Sequence, residues 1–197
     1  MPRAKHSITA SDLMDLEEYG KARKEMRAEN VLLKKQRRLF VGPYVTVFFE
    51  SFETMVMQIQ EMLYIEKGGD AQLADELAAY NPMVPNGREL TVTLMFEIPD
   101  ENRRRNFLAK LGGVENKVAI VVGDARIMAV PEGDVERSTE EGKASSVHFL
   151  HFPFTGAQIK AFHDPETKVL LEIAHDHYGH LSVIPSETRA ILANDFD

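Results

Sequence analysis

Two apolar runs, Val118-Ala119-Ile120-Val121-Val122 and Ala125–Val130, flank the dipeptide Gly123-Asp124, and this arrangement restricts the fold more than any other stretch. β-Branched runs separated by two such residues predict a tight hairpin, because glycine reaches the positive φ that a two-residue turn demands. A hairpin makes its strands antiparallel. Further strands are expected at Tyr44–Phe49, Leu90–Ile98, Ser145–Phe154 and Lys168–His175. A turn near Tyr178-Gly179 then leads to a strand at Leu181–Ile184. Helical spacing of Met55, Ile59, Met62 and Leu63 predicts a helix over 52–66. Shorter helices are expected at 70–80, 100–111, 155–163 and 185–194, with a polar loop from Glu132 to Lys143. Helices between antiparallel hairpins indicate an α+β fold, mainly antiparallel sheet, and not a doubly wound one.

The first 38 residues read differently. Thr9-Ala10-Ser11-Asp12 has the pattern of a capping box, and Leu13, Leu16, Tyr19, Met26 and Leu33 then recur at helical spacing. A long charged helix over about 10–38 is expected, with Gly20 as a candidate break. Its apolar stripe is narrow, so it is expected to lie across the body and not through the core. This segment holds ten Lys/Arg and six acids, whereas 39–197 holds 13 basic and 25 acidic residues. The net charge of -8 therefore resolves into a +4 arm, 1–38, and a single -12 domain, 39–197. Lys34-Lys35-Gln36-Arg37-Arg38 reads as a solvated helix end suited to the helix dipole. The acidic body argues against nucleic-acid binding.

Several chemistries are excluded. The 197 residues contain no cysteine, which removes disulfides, thiolate metal sites, iron–sulfur ligation and a cysteine nucleophile. No apolar run is long enough to span a bilayer, and Met1–Ser7 has no signal-type apolar stretch, so a cytoplasmic protein is expected. No G-x-G-x-x-G, Walker or G-x-S-x-G pattern occurs. Arg103-Arg104-Arg105 reads as an exposed helix face, and Met55, Met57 and Met62 as adaptable core.

Histidine is the unusual residue. Six of the seven, His148, His151, His163, His175, His177 and His180, fall between 148 and 180. Without cysteine, imidazole and carboxylate are the strong ligands available for iron, manganese or zinc. On a strand His175 and His177 share a face, and the following turn can bring His180 back toward them. His148 and His151 fall on opposite faces of a strand, so at most one joins such a site, and His148 is the choice. Glu61, in an apolar helical stretch, and Glu97, at a strand end, are the carboxylates best placed to complete it. The expected metal set is His148, His177 and Glu61, with His175 and Glu97. The same histidines also read as polar residues of a solvated hairpin tip, and His163 is given no role.

Five stretches carry a resemblance that runs in order over nearly the whole chain. They are Ile8-Thr9-Ala10-Ser11-Asp12-Leu13 with Leu16-Glu17-Glu18-Tyr19, Gln60-Glu61-Met62-Leu63 with Ile65-Glu66, and Tyr80-Asn81-Pro82 with Val84-Pro85-Asn86-Gly87-Arg88. The last two are Ser146-Val147-His148-Phe149 and Thr188-Arg189-Ala190. The chain resembles the bacterial family called domain of unknown function 3501. The resemblance implies a gene neighbourhood of rubrerythrin and an iron–sulfur reductase-like protein, and hence peroxide defence or electron transfer. It favours Glu61, His148 and His177 over His151, His163 and His180, although Tyr178 stands where the family pattern has proline.

Two functions compete. One is a metal-binding protein with a redox or peroxide-stress role, built on the residues above. The other is a non-catalytic partner or assembly protein whose basic helix docks on an acidic redox protein. A small-molecule binding domain with an α+β pocket is a third reading.

Overall fold

The computed structural model describes residues 5–133 and 144–197. Most of the polar loop expected at 132–143 lies outside them. The fold is α+β, with two antiparallel sheets and helices packed around them.

A capping box at Thr9 and Asp12 does form, but it closes a single 3₁₀ turn at Ala10–Asp12. The long helix α1 starts later, at Leu16–Gln36, where Asp15 caps it by accepting from the Glu17 N–H at 2.8 Å. Gly20 does not break α1. A Cβ there would lie 3.1 Å from Cε2 of Tyr64, so the glycine lets that ring lie against the helix. Arg37 then ends α1, and a strand that the charged text hid, β1 (Arg38–Val41), follows at once.

β2 (Val45–Phe49) returns against β1, and α2 (Phe52–Glu66) and α3 (Gly69–Tyr80) lead to β3 (Glu89–Phe96). α4 (Glu101–Leu108) precedes the hairpin β4 (Val118–Val122) and β5 (Ala125–Met128), whose Gly123 has φ +57. The run expected as one strand to Val130 divides at Ala129, because the chain there leaves one sheet for the other and forms β6 (Val130–Pro131). β7 (Val147–Pro153), α5 (Gly156–His163), β8 (Val169–His175), β9 (Tyr178–Val183) and α6 (Ser186–Leu192) complete the order. The β8–β9 turn is Asp176-His177, two residues earlier than expected, because Tyr178 pairs with His175 as the first residue of β9.

The first sheet runs β1-β2-β3-β7-β6 and the second β5-β4-β8-β9. Their inner faces share one core that includes Val47, Leu94, Leu150 and Phe152 from the first and Ile120, Leu171 and Ile173 from the second. The chain itself joins the sheets through Ala129. On the opposite side Tyr178 Oη donates to the Val41 carbonyl and Ser182 Oγ to the Phe40 carbonyl, each at 2.6 Å. The Ser182 bond occupies an edge carbonyl of β1 that would otherwise be open to another strand.

The outer face of the first sheet takes α2, while Leu108 of α4, Phe162 of α5 and Leu192 of α6 join the core between the sheets. Phe149 packs there against a second cluster of Ile8, Met55, Ile59, Met83 and Val84. Asn81 fastens the N-terminal segment, accepting from Ile8 N at 2.7 Å and donating to Ile8 O at 3.0 Å. Arg189 on α6 donates to the carbonyls of Phe162 at 2.7 Å and Thr167 at 2.5 Å, which caps the end of α5. Two of the stretches that carry the resemblance, at Asn81 and Arg189, thus act as structural clasps.

Candidate functional site

Strand register decides where each histidine goes. His148 faces inward, opposite Leu94, and is fully buried. Its Nε2 hydrogen-bonds with the Ser145 carbonyl at 2.9 Å, Nδ1 lies 3.9 Å from Glu115 Oε2, and Phe96 meets the ring edge-on at 6.1 Å. His151 faces the other way, as strand alternation requires. His177 sits exposed in the β8–β9 turn, and its ring centroid is 5.9 Å from that of His175. The His175 Nδ1 already accepts the His177 N–H at 3.2 Å. His180 stacks on Tyr178 with centroids 4.3 Å apart, toward the β1–β2 turn and not toward His177.

The two carboxylates lie elsewhere. Glu97 is exposed at the end of β3 and accepts a hydrogen bond from the Thr46 hydroxyl. Glu61 faces α1, where both its oxygens are bonded by Arg23, Nε at 2.8 Å and Nη2 at 2.9 Å, while the Tyr19 hydroxyl also donates to it. The Arg23 hydrogen bonds hold the Glu61 carboxyl down at about 2. Burial pushes the Tyr19 hydroxyl up, and the Glu61 bond adds to this. Among the described residues no three His, Asp or Glu side chains are grouped to hold one ion.

One histidine arrangement escaped the sequence reading. β3 and β6 flank β7, so Glu89 and Glu132 reach His151 from opposite sides, at 3.2 Å from Nδ1 and 2.7 Å from Nε2. Donating to both requires both ring nitrogens protonated, which is the imidazolium form. Glu89 chiefly, with Glu132 adding to it, raises the His151 pKa above the usual histidine value against the opposing effect of burial. The carboxylates bind opposite edges of the ring, so they bridge a proton-bearing ring and do not converge on one point. The signal was absent from the text, because the pairing of strands distant in sequence is not written in local periodicity.

The remaining candidate is the surface of α1. Along its 21 residues only Tyr19 is buried. At 3.6 residues per turn, Lys24, Arg27, Ala28, Val31 and Lys35 fall within about 100° of arc. All five are exposed, and Val31 and its neighbour Leu32 are 66% and 63% accessible. Met26, Asn30 and Leu33 line the opposite side, against Phe52, Val56 and Met57 of α2. Glu18, Glu25 and Glu29 fall outside that arc. Glu17 falls within it near the helix start, where it pairs with Lys21 at 2.8 Å, so from Lys24 to Lys35 the outer face is cationic with an aliphatic centre. Beside it, Gly20, Arg23, Lys24, Arg27 and Tyr64 line a cavity of about 420 Å³. Among the described residues no helix is long and apolar enough to cross a membrane.

Comparison with known proteins agrees with this topology. A crystal structure of a novel protein of unknown function from Burkholderia pseudomallei K96243 is 36% identical, with a TM-score of 0.89 over 97% of this chain and 100% of that one. No curated protein matches. Residues 7–196 match the family described as protein of unknown function DUF3501. With a match over nearly its whole length and a structural relative of this similarity, the chain belongs to the DUF3501 family.

Proposed function

We propose that this is a non-catalytic docking protein that presents the outer face of α1 to an acidic partner protein. One observation carries the reading: Lys24, Arg27 and Lys35 surround the exposed Val31 on a single helix face. An apolar centre with a charged rim is the composition of a protein interface, and clustered charge of one sign speeds encounter with the opposite sign. A merely solvated face would be expected to carry polar residues at 31 and 32 as well. The neighbouring cavity lined by Arg23, Lys24 and Arg27 suits a carboxylate from the partner. That the partner is a redox protein is inferred from the family resemblance alone.

The docking reading is preferred to a metal-dependent redox role because Glu61 already spends its carboxylate on Arg23 and Tyr19. The metal reading through His148, His177, His175 and Glu97 is left with no carboxylate from α2.

Affinity purification from the native source tests the docking reading. The wild-type chain should retain an acidic protein in stoichiometric amount, and Lys24→Glu/Arg27→Glu/Lys35→Glu should lose it while keeping its melting temperature. The same partner retained by the folded triple variant would refute the reading.

A further inference from the structure

Glu50 joins β2 to the cap of α2 and is only 2% accessible. Its Oε1 accepts the Thr93 hydroxyl and its Oε2 the Thr54 hydroxyl, each at 2.6 Å. Each hydroxyl has one proton to give, whereas a carboxylate accepts about four hydrogen bonds. Among the described residues no Lys, Arg or His nitrogen lies within 4.0 Å of this carboxylate. Arg37, close in sequence and buried, directs its donors to the Phe49 and Glu50 carbonyls and to Asp195. Burying a carboxylate with neutral donors alone is costly, and a ligand cation would offset that cost.

The surroundings supply a chamber. Glu50 lines a cavity of about 360 Å³ between the outer face of the first sheet and helices α1, α2 and α3. Phe48, Met55, Met95 and Phe149 make its walls apolar, and Lys34 lines it as well. The Lys34 ammonium stands 5.6 Å from the centroid of the Phe48 ring. A simple organic cation would satisfy Glu50 but meet repulsion from Lys34. A zwitterion meets both. The volume lies near the lower end of the range of about 300–1,000 Å³ typical of small-molecule sites.

We infer that this chamber binds a free α-amino acid with an apolar side chain, its ammonium on Glu50 and its carboxylate toward Lys34. The site is separate from the outer face of α1, and its test does not depend on partner docking.

Thermal shift with the twenty common amino acids, followed by calorimetric titration of the full chain, tests the inference. At least one apolar amino acid should raise the melting temperature and bind. For leucine as the probe, isopentylamine lacks the carboxylate and 4-methylpentanoate lacks the ammonium, and both should bind at least tenfold more weakly. Glu50→Gln should weaken amino-acid binding at least tenfold. Lys34→Met should weaken it several-fold and, by removing the repelling ammonium, strengthen isopentylamine binding. Absence of binding by all twenty, or unchanged affinity in Glu50→Gln, overturns the inference. Should Glu50→Gln fail to fold, Lys34→Met decides: wild-type affinity for the amino acid in that partly exposed variant overturns it equally.

Discussion

Arg23 and Glu61 form a two-bond ion pair between α1 and α2, with Nε–Oε1 at 2.8 Å and Nη2–Oε2 at 2.9 Å. The guanidinium also lies 4.9 Å over the Tyr64 ring, and Tyr19 donates to the same carboxylate. This cluster fixes how α1 lies on the body and so which face it turns outward.

Glu61→Gln should therefore lower stability by about 1–2 kcal/mol at pH 7, a range for charge-assisted bonds reduced for partial solvent screening. The sign with pH follows from the depressed carboxyl at about 2. Its stabilisation is fully present above the unfolded value near 4.5 and is lost as pH falls toward 2. Chemical denaturation of both proteins from pH 7 to pH 3 checks this: the gap between them should narrow with acid.

His151 behaves in the opposite sense. Its raised pKa means that its stabilisation is complete below the unfolded value of about 6.5 and fades as pH rises through the folded value. An NMR titration should place its midpoint above 6.5. In His151→Gln the alkaline loss of stability should be shallower than in the wild type. A midpoint at or below 6.5 would contradict the assignment of Glu89 and Glu132 as its partners.

Gly42 has φ +67, and a Cβ there would lie 2.4 Å from His180 Cδ2 and 2.7 Å from Tyr178 Oη. Gly42→Ala combines a disfavoured backbone conformation with a clash at the seam between the sheets. A loss of at least about 2 kcal/mol is expected. Thermal unfolding measures it, and an unchanged melting temperature would show that the seam yields freely.

The buried pair Arg37–Asp195 ties the start of β1 to the C-terminal turn, with Arg37 only 4% accessible. Burial pushes the Asp195 carboxyl up, and Arg37 opposes that shift. Arg37→Ala leaves a carboxylate buried without its cation and should cost about 3–5 kcal/mol. Denaturant unfolding reads the loss; a change under 1 kcal/mol would be inconsistent with a buried pair.

Local chemistry in the sequence foretold much of the architecture. The Gly123-Asp124 hairpin, the 52–66 helix and the strand alternation that separates His148 from His151 are all written in near neighbours. Tertiary contacts rewrote the rest. The basic text around Arg37 resembled a solvated helix end, yet three acceptors from β2, Glu50 and the C-terminal turn draw that side chain inside. Gly20 looked like a helix break because the ring of Tyr64, 44 positions away, is invisible to a local reading. The candidate site was legible only in part, since the charge of α1 is readable but its outward face depends on the Glu61 contact.

Photocross-linking from position 31 tests the docking account most directly. A photoreactive residue replacing Val31 in the full chain, expressed in the native host, should capture one acidic protein. The same residue at Leu181, equally exposed on β9 at 61%, should not. The capture should vanish when Lys24, Arg27 and Lys35 are reversed to glutamate. Cross-links of equal yield from both positions, or capture at 31 that survives charge reversal, would contradict the account.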